Sequence, residues 1–140
     1  MSPPMKPLMQ FAATMDRVNR QLLDLLGVDF TPRIVLIFTR PPGGKSRLDV
    51  ACEGKGADGR PPQRNIFVDP GTGEKRYWAS AQPEGLEPRG CYFSLPAGAD
   101  ESDPDNFRCL SAVDGQPCKP LRAEMELRNG ERVVELRCKC

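Results

Sequence analysis

The chain has 140 residues, 39% of them hydrophobic, with 20 Lys and Arg against 19 Asp and Glu and a net charge of +1. One domain fits in that length, and the composition excludes a collagen, a long coiled coil and a wholly disordered tail. A charge balance this close gives no global steering toward nucleic acid or acidic membranes.

Residues 1–7 carry Pro3, Pro4 and Pro7 and read as an extended arm. From Leu8 the apolar residues Phe11, Met15, Val18, Leu22 and Leu25 recur at helical spacing. Gly27 stands where a left-handed C-cap belongs, so the pattern predicts a helix over 8–26. Leu23 and Leu26 widen its apolar stripe enough to suggest a docking edge, for a partner protein or for another copy of the chain.

After Gly27 the period changes. Residues 33–38, Arg-Ile-Val-Leu-Ile-Phe, predict a strand buried on both faces, and Leu48, Val50 and Cys52 alternate on a second strand over 47–52. Residues 53–63 read as a loop. Residues 64–69 and 75–80 form a predicted hairpin closed by Asp69-Pro70-Gly71-Thr72-Gly73. Further strands are expected at 91–95 and 107–113, on either side of an acidic loop over 96–106.

The last segment carries the clearest hairpin pattern. Leu121, Ala123, Met125 and Leu127 alternate with Arg122, Glu124, Glu126 and Arg128, and Asn129-Gly130 suggests a two-residue type I′ turn. That turn would pair Met125 with Val134, Ala123 with Leu136 and Leu121 with Cys138. It would also set Glu124 against Glu135 and Arg122 against Arg137, which like charges disfavour. The expectation is a single α+β domain over 8–140. One N-terminal helix would pack on a mostly antiparallel sheet of five to seven strands, ending in a β-hairpin.

Histidine is absent. That removes Ser-His-Asp and Cys-His catalysis, His-ligated metals and the usual general base near neutral pH. Thr39-Arg40-Pro41-Pro42-Gly43-Gly44-Lys45-Ser46 ends like a phosphate-binding loop. The residues after it read as strand and loop, whereas a phosphate loop needs a helix there. A cationic hairpin turn is the better reading. The acidic loop Asp100–Asp105 has no calcium-loop spacing, with Arg108 where a glycine is needed and Asp114 where a glutamate is needed. Glu124, Glu126 and Glu135 are expected on one charged face of the last hairpin.

Six cysteines stand at 52, 91, 109, 118, 138 and 140. The N-terminal stretch is broken by Asp16, Arg17, Arg20 and Asp24 and has no secretory signal, nor is there an apolar run that could span a membrane. The expected compartment is therefore intracellular, cytoplasmic by default, with reduced thiols filling the core. If the thiols instead held zinc, Cys109, Cys118, Cys138 and Cys140 are the expected ligands, with Cys52 or Cys91 as a substitute. No other cofactor is expected.

Residues 33–64 hold seven basic and three acidic residues, and residues 84–114 hold seven acidic and two basic. These features favour a non-enzymatic protein-protein interaction domain: a subunit of a larger assembly, or a small inhibitor or accessory protein of the kind viruses and mobile elements carry. Its expected contact residues are Leu22, Leu26, Arg40, Lys45, Arg47 and Trp78. The alternatives are a nucleic-acid-binding module using the basic loops of 33–64, with Tyr77, Trp78 and Tyr92 for stacking, and a zinc-stabilised cysteine-rich module.

Overall fold

A computed structural model describes residues 32–55, 61–80 and 90–140. They form eight strands: β1 (Arg33–Arg40), β2 (Arg47–Glu53), β3 (Gln63–Val68), β4 (Lys75–Ser80), β5 (Cys91–Leu95), β6 (Arg108–Ser111), β7 (Pro120–Glu126) and β8 (Arg132–Cys138). The strands make two four-stranded antiparallel sheets, in the orders β2-β1-β8-β7 and β3-β4-β5-β6.

This corrects the α+β expectation. Among the described residues the only helical element is a 3₁₀ turn at Pro104–Asn106. No helix there packs on a sheet, and the single sheet of five to seven strands is instead a pair of sheets. The helix expected over 8–26 and the arm over 1–7 lie outside the described residues. The cover that β1 requires on its inner face comes from the second sheet.

Alternation explains the shared core. Ile34, Leu36 and Phe38 of β1, with Leu136 and Cys138 of β8, face Tyr77 and Ala79 of β4, Phe93 and Leu95 of β5, and Cys109 of β6. Phe107 joins the two layers, its ring 5.4 Å from Phe38 and 5.5 Å from Tyr77, both edge-on. Val35 is buried on the opposite face of β1, as a continuous apolar run suggests. The acidic loop is tied down from within. Asp100 accepts from the Ser102 N–H and hydroxyl, and Asp103 caps the 3₁₀ turn by accepting from the Asp105 N–H.

The last hairpin differs from its expected register by one residue. The Leu127 N–H donates to the Glu131 carbonyl and the Gly130 N–H to the Leu127 carbonyl, enclosing a three-residue loop with Gly130 at φ +85°. A three-residue loop ending in a left-handed glycine is a common alternative to the type I′ turn. Its effect is to turn every side chain of β7 to the other face. Met125 now pairs with Val133, Ala123 with Glu135 and Leu121 with Arg137. The like-charge pairs of the expected register are gone, since Glu124 lies opposite Val134 and Arg122 opposite Leu136. In exchange, Leu121 and Met125 stand on the face turned away from the core.

On that outer face Arg137 Nε donates to both oxygens of Glu53, each at 3.0 Å, and Nη1 donates to Glu135 at 3.0 Å. The hydrogen bonds from Arg137 hold the Glu53 carboxyl below its usual pKa. A depressed folded-state pKa stabilises the fold above the ordinary carboxylate range, and this contribution is lost as pH falls through the folded value. Glu53 is half-exposed, so Glu53→Gln is expected to cost less than about 1 kcal/mol at neutral pH. Urea titrations should show the gap between variant and parent closing below about pH 4.

Candidate functional site

Two features stand out: a cysteine cluster joining the sheets, and the open edge of β7. The cluster arises from three strands and the chain end. Cys91 begins β5 and Cys109 lies on β6, diagonal to it on the inner face, because Phe93 pairs with Cys109 and Cys91 with Ser111. Cys138 is the last residue of β8, and Cys140 follows after the chain has left the strand. The sulfurs of Cys91, Cys109, Cys138 and Cys140 all lie within 4.8 Å of one another.

Two disulfides are formed here, Cys109–Cys138 and Cys118–Cys140. The expectation of reduced core thiols is thereby corrected for four of the six cysteines. The pairing reflects topology: β6 and β8 belong to different sheets, and only their packing face to face brings Cys109 to Cys138. Cys118 is held beside β6 by its N–H, which donates to the Cys109 carbonyl at 2.8 Å. Cys91 is the cluster member that spacing alone ranked below Cys118. Nothing in its local sequence marks it, since its place follows from the β5–β6 register.

Cys52 is apart from this cluster. Its thiol is free, and burial pushes its pKa up while Arg64 opposes the shift. It lines a shallow open groove of about 420 Å³ with Val50, Glu53, Pro61, Pro62 and Arg64.

The second feature is β7. Among the described residues it pairs only with β8, and all seven of its residues are exposed. Leu121 and Met125 are 46% and 47% exposed, and Leu127, just beyond the strand, is 41% exposed. On the opposite face Arg122 bonds Asp105 at 2.8 Å and Glu124 at 2.7 Å.

The residues expected to bind a partner are scattered. Leu22 and Leu26 lie outside the described residues. Arg40, Lys45 and Arg47 are exposed around the β1–β2 turn, where Arg40 pairs in register with Arg132 and Arg47 bonds Asp49 at 3.2 Å. Trp78 is only 4% exposed and offers almost no contact surface. Its Nε1 and the Tyr77 hydroxyl are buried without a hydrogen-bond partner among the described residues.

The phosphate-loop look-alike is a hairpin turn closed by the Gly44 N–H on the Pro41 carbonyl, and β2 follows it in place of a helix. The basic residues of 33–64 are divided, with Arg33 and Lys55 near one end of the β1–β2 hairpin and Arg40, Lys45 and Arg47 at the other. Glu135 lies on the face opposite Glu124 and Glu126, so the three carboxylates do not share a face. Among the described residues no helix is long and apolar enough to cross a membrane.

Comparison with known protein families, with curated proteins and with solved structures finds no match for this chain.

Proposed function

We propose that the chain is a non-enzymatic protein-binding domain that acts as a subunit of an assembly, and that its β7 edge pairs with the β7 edge of a second copy. The supporting observation is the self-complementary pattern of this open strand. Because the Leu127 N–H points toward β8, so do the backbone groups of Met125, Ala123 and Leu121. Those of Arg122, Glu124 and Glu126 point outward and are available to another strand.

An antiparallel pairing centred on Ala123 sets Arg122 against the second copy's Glu124, and Leu121 against its Met125. Each contact occurs twice about a two-fold axis, so the interface closes on itself as a dimer. Single-sign charges would guard an edge against such pairing. Here the edge carries both signs, and the pairing sets Arg122 of each copy against Glu124 of the other. Pro120 lacks an N–H and stands at the end of this pairing, opposite the second copy's Glu126, so the ladder forgoes one hydrogen bond at each end.

Sedimentation velocity over a concentration series tests this reading. The parent chain is expected to form a dimer that denaturing mass measurement dissociates without reductant. Glu124→Arg puts arginine against Arg122 and should weaken the dimer at least roughly tenfold. The swap Arg122→Glu with Glu124→Arg should restore it. A parent that stays monomeric, or a Glu124→Arg variant that dimerises as well as the parent, overturns the proposal.

A further inference from the structure

We propose that Cys91, Cys109, Cys138 and Cys140 form a tetrathiolate zinc site in the reduced chain, and that the two disulfides are its oxidised, metal-free state. The inference rests on the cysteine cluster alone and is independent of the β7 edge.

The distances fit. Zinc holds thiolates at about 2.3 Å in a tetrahedron, which separates neighbouring sulfurs by about 3.8 Å. The four sulfurs already lie within 4.8 Å of one another while three of them are tied in disulfides, Cys109 to Cys138 and Cys140 to Cys118. Releasing both bonds frees the side chains to rotate and close the remaining gap.

The fold also removes the objection that spacing raises. Two alternate residues of one extended strand, such as Cys138 and Cys140, reach one ion only with distortion. Here β8 ends at Cys138, so Cys140 lies outside the ladder and is not held to the strand's spacing. The other ligands come from β5, β6 and β8, so one ion would tie both sheets together where the Cys109–Cys138 bond now does. Four thiolates with no open position make a closed structural site and select a soft tetrahedral ion such as zinc. A tetrathiolate zinc carries two negative charges. Lys139 sits between two of the ligands in the chain and is exposed beside them.

The chemistry balances as follows. Each disulfide takes two electrons and two protons from a dithiol, which is itself oxidised to a disulfide. Zinc then displaces one proton from each of Cys91, Cys109, Cys138 and Cys140. Cys118, released from Cys140, remains a thiol outside the site.

The test uses the full chain, reduced by a dithiol without oxygen, cleared of reductant and titrated with zinc or cobalt. The expected results are one metal per chain by native mass spectrometry, release of about four protons per zinc at mildly acidic pH, and the visible absorption of tetrahedral thiolate-bound cobalt. Cys118→Ser should bind as the parent does. Cys91→Ser should bind at least roughly tenfold more weakly. Before reduction Cys91→Ser retains both disulfides, and its circular dichroism in that state checks that it folds. A reduced chain that shows no tetrahedral cobalt spectrum overturns the proposal. So does a Cys91→Ser variant that binds as the parent does, or a Cys118→Ser variant that loses metal as Cys91→Ser should.

Discussion

Phe93→Ala is expected to lower the unfolding free energy by about 3–5 kcal/mol. Phe93 is 0% exposed at the centre of β5, opposite Tyr77 on β4 and Cys109 on β6. It belongs to the core cluster shared with the β1 and β8 side chains of the other sheet, so truncation opens a cavity between the two layers. A domain of this size has roughly 5–15 kcal/mol in total. The variant should therefore sit near the edge of folding. Urea unfolding of the oxidised protein measures the loss. Val113→Ala, at a position 89% exposed, should be neutral in the same assay. A loss at Phe93 below about 1 kcal/mol would mean that the two sheets do not share one core.

The second large effect belongs to the link between the sheets. In the oxidised chain, Cys138→Ala is expected to cost about 3–4 kcal/mol. The Cys109–Cys138 bond spans 29 residues of sequence, and opening a loop of that length restores considerable freedom to the unfolded chain. Cys140→Ala opens a loop with a separation of 22 and, on the loop-entropy argument, should cost slightly less. The chain-entropy term depends only weakly on length, so the measured difference between the two variants reports mainly on burial. Cys138 is buried and Cys140 is exposed. Urea midpoints without reductant give both values. If Cys138→Ala is no less stable than the parent, the bond contributes nothing to holding β6 against β8.

The last hairpin shows where sequence reasoning reached its limit. Leu121, Ala123, Met125 and Leu127 announce a strand by alternation, and alternation also suggests that this row faces a core. Which row faces inward is set by the loop. Asn129-Gly130 suits a two-residue turn, yet the loop encloses three residues, with the Asn129 side chain accepting from the Glu131 N–H and donating to its carboxylate. One residue of difference exchanged the faces. The repulsion between Glu124 and Glu135 in the expected register was the available warning, and the observed register relieves it.

The cysteines mark a second limit. Their number and the lack of any close Cys-x-x-Cys pair were plain from the chain. Their grouping was not, because Cys91 and Cys109 meet through a ladder register and Cys138 arrives from the opposite sheet. Trp78 failed as a surface candidate for a related reason: residue type does not say which face of β4 is covered.

The strands are legible in the chain. β1, β2, β4, β5 and β8 lie close to where period-two alternation and the Gly and Pro punctuation put them, because strand pattern is a property of five to eight neighbouring residues. Composition also shows what chemistry is absent, since a chain without histidine lacks it in any fold. Tertiary structure alone decided that eight strands divide into two sheets, that β7 turns its leucine and methionine outward, and that four sulfurs converge. The sheet division and the meeting of the sulfurs depend on residues tens of positions apart, where packing sets the energy and leaves no local trace in the chain, and the facing of β7 turns on one residue of loop length that Asn129-Gly130 does not announce.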